Sequence, residues 1–360
     1  MTTTATIEPL TVEPIGDRSV RIVRSFRAPR QLVFDAHTKP ELVRRWMGPR
    51  EWPFTSCEID LRPGGGFRYE MSGPDGAVMV MRGTYSDVDP PSRLVSTIAF
   101  DDDWTAGETV NTTTFDEVGG VTTVTLIVDY ASAESREQAL ATPMAEGMEA
   151  GYSRLAELAQ LLADVTDRYR RRADRFEQLV RAVDAGDWDG PSPCAEWRTR
   201  DVVGHIVDMH DVMLRPADRV PSERPGIEVD PLATYLAARA DVEAILADPA
   251  VALAECDTPM GRMSIAEHVD GVVSTDLVLH GWDLARGAGL DDTIDPAEVE
   301  RLWPGISEIP DEMRIPEHFG PGVIVFGPEV VVADDAPLQD RLVGKLGRDP
   351  HWARPAQPTV

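Results

Sequence analysis

The fold of the first half of the chain is decided by residues 60–89, which read DLRPGGGFRYEMSGPDGAVMVMRGTYSDVD. Turn signals rich in Pro and Gly, at 63–66 and 73–76, each precede a run of aromatic, β-branched and methionine residues. Alternation with a period of two predicts strands, and turn signals at this spacing predict hairpins. Phe67 and Tyr69 share one strand face, and Met79 and Met81 share another. The segment therefore predicts an antiparallel meander.

The same strand-like pattern extends outward from residue 19 to residue 130, interrupted by two short predicted helices at about 30–36 and 40–46. After Ser132 the period changes to 3.6, which predicts a closing helix at about 143–162. A curved sheet closed by a helix is an α+β arrangement, and it leaves a cavity suited to apolar molecules. The candidate lining residues are aromatic or Met, although the same pattern is typical of ordinary core: Trp46, Trp52, Phe67, Tyr69, Met79 and Met81.

The second half of the chain is predicted to be mainly helical. Apolar residues at helical spacing predict helices at about 199–214, 231–246, 264–287, 296–307 and 338–346. No Pro or Gly interrupts residues 152–185, so the closing helix is expected to continue into the second domain. The predicted organisation is a flexible N-terminus at 1–18, a ligand-binding domain at 19–165, a metal-binding helical domain at 166–352 and a tail at 353–360.

The charge of the chain excludes several classes of partner. The 62 acidic and 35 basic side chains give a formal net charge of −27 at pH 7, and binding to nucleic acid or to anionic lipid requires a basic surface. Three widely spaced cysteines predict neither a disulfide framework nor a zinc knuckle. No apolar run approaches the roughly 20 residues that cross a bilayer. We therefore expect a cytoplasmic protein. Its expected partner is an apolar small molecule that occupies the predicted cavity. The sequence favours no particular oligomeric state.

Three residues of the second half form a candidate metal site. Asp276 and His280 are four residues apart in a predicted helix, so both side chains point to one face. His205 lies near the middle of another predicted helix. Three protein ligands with an open fourth position are typical of catalytic zinc sites. The alternative is that each histidine is an ordinary packed residue of an apolar helix.

Other residues near the three candidate ligands are predicted to support the site, to act as a reserve ligand or to take no part in it. Trp282 and Asp283 are expected to support the site, for instance by a hydrogen bond to an imidazole. His268 is a reserve ligand, because it lies eight residues before Asp276. Cys194 is either a packed loop cysteine or a residue that meets a metal-bound thiol. The remaining histidines are predicted to lie at the surface: His37, His210, His318 and His351.

Several motifs of the first domain carry a family resemblance. They are FRAP at 26–29, LVRRW at 42–46, DLRPGG at 60–65, GTY at 83–85 and PSRLV at 91–95. Together they resemble the heat-shock-protein ATPase activator homologue family, a branch of the START-like (SRPBCC) superfamily. The resemblance implies a helix-grip fold with a ligand pocket, and it names no reaction. No client-binding feature accompanies it, so a chaperone-type adaptor is not favoured.

Two motifs of the second domain carry a second family resemblance. The segments PCAEWRTRDVVGH at 193–205 and HGWDLA at 280–285 resemble the actinobacterial branch of the DinB-like superfamily, close to the amino-terminal domain of mycothiol-dependent maleylpyruvate isomerase. The resemblance implies a four-helix bundle that holds a divalent metal, Zn²⁺ or alternatively Ni²⁺, through His205, Asp276 and His280. Asp276 stands where Glu or His is usual, and its side chain is one carbon shorter than Glu.

These features predict a function. A bound Zn²⁺ stabilises a thiolate, so a low-molecular-weight thiol such as mycothiol would become a nucleophile near neutral pH. We therefore expect a metal- and thiol-dependent transferase or isomerase that acts on an apolar electrophile. The alternative is a non-catalytic protein that binds or sequesters small molecules, in which the metal site is structural or vestigial.

Overall fold

The computed structural model describes residues 7, 9–102, 107–315 and 326–355, and these form two compact units. The first unit comprises Met1–Asp164 with Asp248–Glu255, and the second comprises Val165–Ala247 with Cys256–Val360. Within the described ranges, every helix is too short or too polar to cross a membrane.

An eight-stranded antiparallel sheet forms most of the first unit, with strand order β1-β2-β8-β7-β6-β5-β4-β3. Its strands are β1 (Thr11–Ile15), β2 (Ser19–Phe26), β3 (Phe54–Ile59), β4 (Gly66–Ser72), β5 (Val78–Asp89), β6 (Arg93–Phe100), β7 (Thr109–Val118) and β8 (Val121–Asp129). The first and last long strands pair, with Val20 opposite Val128. The sheet contains the meander that the sequence predicts at residues 60–89.

The helices of both units are, in chain order, α1 (Arg30–Thr38), α2 (Pro40–Trp46), α3 (Ala133–Leu140), α4 (Met144–Ala182), α5 (Thr199–Leu214), α6 (Pro231–Leu246), α7 (Pro249–Ala252), α8 (Ile265–Val269), α9 (Thr275–Ala288), α10 (Pro296–Ser307) and α11 (Leu338–Lys345). The predicted closing helix is the first part of α4, which continues past residue 164 without a break.

The first part of α4 packs against the sheet of the first unit. Met144 and Met148 contact the cluster that contains the buried strand residues Val20 and Val128. Tyr152 meets Phe26 edge to face, with 5.5 Å between ring centroids. A helix gripped by an antiparallel sheet is the fold predicted for this half of the chain, and the prediction is confirmed.

Four helices pack together in the second unit: α4, α5, α6 and α9. Tyr169 of α4 contacts His210 of α5, and Phe176 of α4 contacts Tyr235 of α6 with 5.1 Å between ring centroids. On α9, a side chain at Gly281 would touch Leu179 and Phe176 of α4. The predicted mainly helical class of this unit is confirmed.

Two features of the second unit differ from the sequence prediction. A short hairpin, β9 (Glu255–Thr258) and β10 (Gly261–Ser264), precedes α8. The helix predicted over 264–287 is α8 and α9 joined by a π-helical turn, Asp270–Ser274. A π turn holds one more residue than an α turn, so it rotates α8 relative to α9.

Of the histidines predicted to lie at the surface, His210 is buried and His37 is half-buried. His210 has no exposed surface, since its Nδ1 hydrogen-bonds the Ile206 carbonyl at 2.6 Å and its Nε2 hydrogen-bonds the Tyr169 hydroxyl at 2.9 Å. His37 bonds the Val33 carbonyl at 2.7 Å, and its ring packs against Trp46. A helix-borne imidazole can enter a core when a carbonyl one turn earlier satisfies a nitrogen. His351 is exposed, as predicted, and His318 lies outside the described residues.

Candidate metal centre

Helices α5 and α9 bring the three predicted ligands together. His205 projects from α5, and Asp276 and His280 project from successive turns of α9. One ligand atom from each lies within 4.8 Å of the other two. His205 Nε2 is 3.5 Å from an Asp276 carboxylate oxygen, and the two imidazole centroids are 4.5 Å apart.

This spacing fits a small divalent cation. Bonds of about 2.0–2.2 Å in tetrahedral geometry place neighbouring ligand atoms about 3.4 Å apart, close to the 3.5 Å between His205 and Asp276. The side chains of His205 and Asp276 are 28% and 25% exposed, whereas that of His280 is 10% exposed. The site is therefore anchored in the interior at His280 and accessible from solvent at the other two ligands.

Asp283 orients the His280 ring. The two residues lie on one face of α9, with His280 Nδ1 2.9 Å from an Asp283 carboxylate oxygen. With its Nδ1 proton donated to this carboxylate, the ring has its Nε2 lone pair available for a cation. A carboxylate behind a metal-ligating imidazole is the usual arrangement in zinc proteins. The structure thus places Asp283 in the supporting position that the sequence predicts.

Arg348 keeps Asp283 charged in an interior position. Asp283 has no exposed surface, and Arg348 Nε lies 2.8 and 2.9 Å from its two oxygens. Burial alone raises the pKa of Asp283, but the Arg348 guanidinium and the His280 imidazole hold that pKa well below its usual range. Burial lowers the pKa of His280, and the hydrogen bond to Asp283 opposes this effect. The imidazole is therefore neutral at pH 7, as a metal ligand must be.

Cys194 completes a second group of possible ligands with His280 and Asp283. Arg348 is directed at this group, with its Nη2 3.6 Å from the Cys194 sulfur. Burial and the Asp283 charge raise the pKa of the Cys194 thiol. A thiol that stays protonated and a permanent guanidinium charge both disfavour a cation. The first group is therefore the better metal site of the two.

Trp197 forms an apolar wall over both imidazoles. Its ring centroid lies 5.1 Å from that of His205 and 5.8 Å from that of His280, nearly parallel to the latter. The turn that carries it is defined by a hydrogen bond from Ser192 N–H to the Trp197 carbonyl and by a left-handed Glu196 with φ of 68°. Non-glycine residues rarely adopt this conformation outside sites where the surroundings enforce it.

Sequence reasoning missed the contributions of Arg348 and Trp197. Trp197 belongs to a motif that was recognised, but nothing in its spacing indicates which face of the turn it covers. Arg348 reaches His280 from 68 residues farther along the chain, and no local pattern joins the two. Only the packing of the C-terminal segment against α9 reveals this contact.

Two other predicted residues lie away from the three ligands. Trp282 is buried in a cluster with Leu279, Val299 and Leu342. His268 precedes the π turn and belongs to neither possible ligand group of the described residues. Burial lowers its pKa, and its Nδ1 has no hydrogen-bond partner within the described ranges.

The six candidate pocket residues of the first unit occupy different surroundings. Phe67 and Tyr69 are buried in one cluster with Cys57 and Tyr85, and Met81 packs against it. Trp46 is 5% exposed, donates its indole N–H to the Ala36 carbonyl and stacks on Tyr152. Trp52 is half-buried over Gly73, and Met79 is half-buried opposite Met71 on β4.

Comparisons with known proteins match each half of the chain. Residues 27–160 match the model of the Activator of Hsp90 ATPase homolog 1-like protein family, and residues 169–285 match that of the Mycothiol maleylpyruvate isomerase N-terminal domain. The uncharacterized protein Rv0738 of Mycobacterium tuberculosis is 32% identical over 181 residues, which are 50% of this chain and 95% of that protein.

Solved structures also resemble part of the chain. A protein from Rhodobacter sphaeroides is 32% identical over 41% of this chain and 96% of its own, with a TM-score of 0.40. Protein Ms6760 from Mycobacterium smegmatis is 30% identical over 42% of this chain and 96% of its own, with a TM-score of 0.38. The chain belongs to two families in succession, the Activator of Hsp90 ATPase homolog 1-like family followed by the Mycothiol maleylpyruvate isomerase N-terminal domain family.

Proposed function

We propose that this protein is a metal-dependent enzyme that uses a low-molecular-weight thiol to transform an apolar electrophile, by thiol transfer or by isomerisation. The observation that carries the proposal is the convergence of His205, Asp276 and His280, with one ligand atom of each within 4.8 Å of the others. We propose Zn²⁺ as the ion, with Ni²⁺ as the alternative, because imidazole and carboxylate ligands suit both.

The ion would supply positive charge that favours the thiolate form of a small thiol near neutral pH. The side chains around the ion would supply the other features of the site. Asp283 orients the His280 ring, burial and the Arg348 charge favour its neutral form, and Trp197 gives the site an apolar wall. The partial exposure of His205 and Asp276 leaves a side through which a thiol can enter. Mycothiol is the thiol that the matched family name suggests.

We propose that the first unit binds the apolar small molecule. Its family is supported by the match at residues 27–160, and its sheet packs against a helix as in ligand-binding folds of this type. The cytoplasmic setting and the exclusion of nucleic acid and membranes as partners stay predictions from the charge of the chain.

Thiol-dependent turnover tests the proposal directly. The full chain, loaded with Zn²⁺, is incubated with mycothiol and a panel of apolar electrophiles, and both free thiol and electrophile are measured over time, because isomerisation regenerates the thiol. We expect turnover with at least one electrophile, loss of turnover in His280→Ala, and unchanged turnover in His351→Ala, whose side chain is exposed. A metal-loaded protein that binds the same electrophiles but neither consumes thiol nor converts any electrophile in its presence would contradict an enzymatic role.

The short Asp276 side chain favours one other function, a non-catalytic binding or sequestration protein with a vestigial metal site. The Asp283–Arg348–His280 network is fully hydrogen-bonded by the chain itself, which suits a structural role. Under this alternative, His280→Ala lowers the melting temperature without abolishing any turnover, and thiol consumption appears only in Asp276→Glu. Turnover in the wild-type protein would exclude this alternative function.

A further inference from the structure

A groove of about 430 Å³ lies in the second unit, on the side of α9 opposite the metal ligands. Its apolar part is formed by residues of α4 and α9: Leu179, Leu277, Val278, Gly281, Trp282 and Ala285. Asp276, His280 and Asp283 leave α9 in the other direction. The volume falls within the range of small-molecule sites, about 300–1,000 Å³. The groove is therefore distinct from the candidate metal centre.

The acidic residues at the rim of the groove are already engaged by the chain. Their partners are backbone N–H groups or guanidinium groups: Thr293 N–H for Asp291, Arg286 for Asp292, Ala297 N–H for Asp295 and Arg172 for Glu298. The Asp295 contact caps the start of α10, the Asp291 contact closes a turn in the preceding loop, and the other two are ion pairs. The carboxylates of the rim thus have their principal electrostatic partners.

Two arginines of the same groove take part in no ion pair among the described residues. Arg171 and Arg175 are exposed and lie one turn apart on α4. Arg175 Nη2 donates to the Asp291 carbonyl at 3.2 Å. The hydrogen bonds from Thr293 and, to a lesser extent, the Arg175 charge lower the pKa of the Asp291 carboxyl. Like charges one turn apart repel each other, and a bound anion would relieve the repulsion between the two guanidinium groups.

We propose that this groove is a binding site for a small organic anion with an apolar body, such as an aryl or alkyl carboxylate. The anionic group lies between Arg171 and Arg175, whose planar guanidinium groups can bind a carboxylate through paired hydrogen bonds. The apolar body lies along Trp282 and over Gly281, where the absence of a side chain deepens the groove. A Cβ at position 281 would come within 3.6 Å of Leu179 and reduce that depth.

This proposal is independent of the metal and of any thiol chemistry. Occupancy depends on one face of α9, whereas the proposed enzymatic activity depends on the other. The binding assay therefore needs no turnover, and failure of one proposal leaves the other intact.

Fluorescence titration with 8-anilinonaphthalene-1-sulfonate, an apolar anion, tests the proposal on the full chain. We expect saturable binding that 4-phenylbutyrate displaces and that 4-phenylbutylamine, with the same body and a positive charge, does not displace. Arg175→Glu and, separately, Arg171→Glu should weaken dye binding about tenfold or more, since each removes a charge-assisted hydrogen bond. Arg170→Glu is the matched control, because it makes the same charge change at an exposed position of the same helix.

The outcomes separate this groove from other apolar sites. Unchanged affinity in both Arg171→Glu and Arg175→Glu, with circular dichroism equal to that of the wild type, would place the dye elsewhere and overturn the proposal. An equal loss of dye affinity in Arg170→Glu would show that the effect depends only on net charge. This result would also overturn the proposal. Displacement by the amine as readily as by the carboxylate counts against it in the same way.

Discussion

Asp283 is the residue on which the geometry of the candidate metal centre depends. It has no exposed surface and is charged because it contacts two cationic or hydrogen-bond-donating partners, Arg348 and His280. A buried ion pair adds little net stability when both partners are replaced together, but removing one partner leaves the other charge uncompensated. The role of Asp283 is therefore to position His280, and Arg348 makes that role possible.

Asp283→Asn should be strongly destabilising, because it leaves the Arg348 guanidinium buried without a counter-charge. We expect a loss of about 3–5 kcal/mol in the free energy of unfolding and a fall of about 10–100-fold in metal affinity. Guanidinium denaturation and metal titration measure the two effects. The double variant Asp283→Asn/Arg348→Met should be less destabilised than the sum of the single variants; simple additivity would show that the two side chains do not interact.

At the scale of elements, β5 shows how closely the strands of the sheet approach each other. Gly83 belongs to a motif that carries the family resemblance, and a Cβ there would lie 1.9 Å from the Thr97 carbonyl oxygen and 2.6 Å from the Phe67 ring. The motif glycine is therefore required by packing. Gly147 in α4 differs, since a Cβ there would meet nothing within 4 Å.

The same substitution should consequently have opposite effects at these two positions of the first unit. We expect Gly83→Ala to lower the free energy of unfolding by about 1–3 kcal/mol or more through overpacking. Gly147→Ala should raise it by about 0.5–1 kcal/mol, since alanine is the better helix former. Thermal unfolding of both variants beside the wild type measures the sign. Destabilisation by Gly147→Ala would contradict the open surroundings of that residue.

Most helices and strands were predictable from the sequence, but the rotation of α8 relative to α9 was not. Helix α5 has the bounds that the apolar spacing predicts, Thr199–Leu214. The segment containing α8 and α9 has helical periodicity throughout, so its sequence pattern does not predict the π turn between them. That extra residue rotates His268, which precedes the turn, relative to Asp276 and His280, which share α9 and belong to one possible ligand group.

At the scale of the whole molecule, each unit contains a neutral histidine packed among its helices: His37, which is half-buried, and His210, which is buried. Burial lowers the pKa of His37 and of His210 to about 4, against an ordinary value of 6.5, although a backbone hydrogen bond opposes the shift in each case. Both residues were predicted to be exposed from their places on helices, His37 near a helix end and His210 on a face away from His205. Whether a core supplies partners such as the Tyr169 hydroxyl depends on tertiary packing, which local sequence does not encode.

These histidines predict an acid-dependent loss of stability. Well above pH 6.5, the ordinary pKa of a histidine, both are neutral in the folded and the unfolded chain, so they contribute no pH dependence there. As the pH falls from 6.5 to about 4, the unfolded chain binds protons that the folded chain excludes, and stability decreases. Below that range the loss is complete.

Denaturation of the metal-free protein between pH 7.5 and pH 5, in about half-unit steps, measures this loss before most carboxylates titrate. We expect the slope for the first unit to diminish in His37→Gln and the slope for the second unit to diminish in His210→Gln. The control is His351→Gln, which is exposed and should leave the slopes unchanged. A wild-type stability that is flat over this interval would show that neither histidine resists protonation.

The central claim is that His205, Asp276 and His280 hold one divalent metal ion. The most direct measurement is elemental analysis of the full chain after purification without chelator, reconstitution with Zn²⁺ and dialysis, for the wild type, His205→Ala, Asp276→Ala and the control His351→Ala. We predict about one equivalent of metal in the wild type and in the control, as expected for a three-ligand site, and loss of that metal in the other two variants. A wild type without metal, or variants that retain it, would contradict the account.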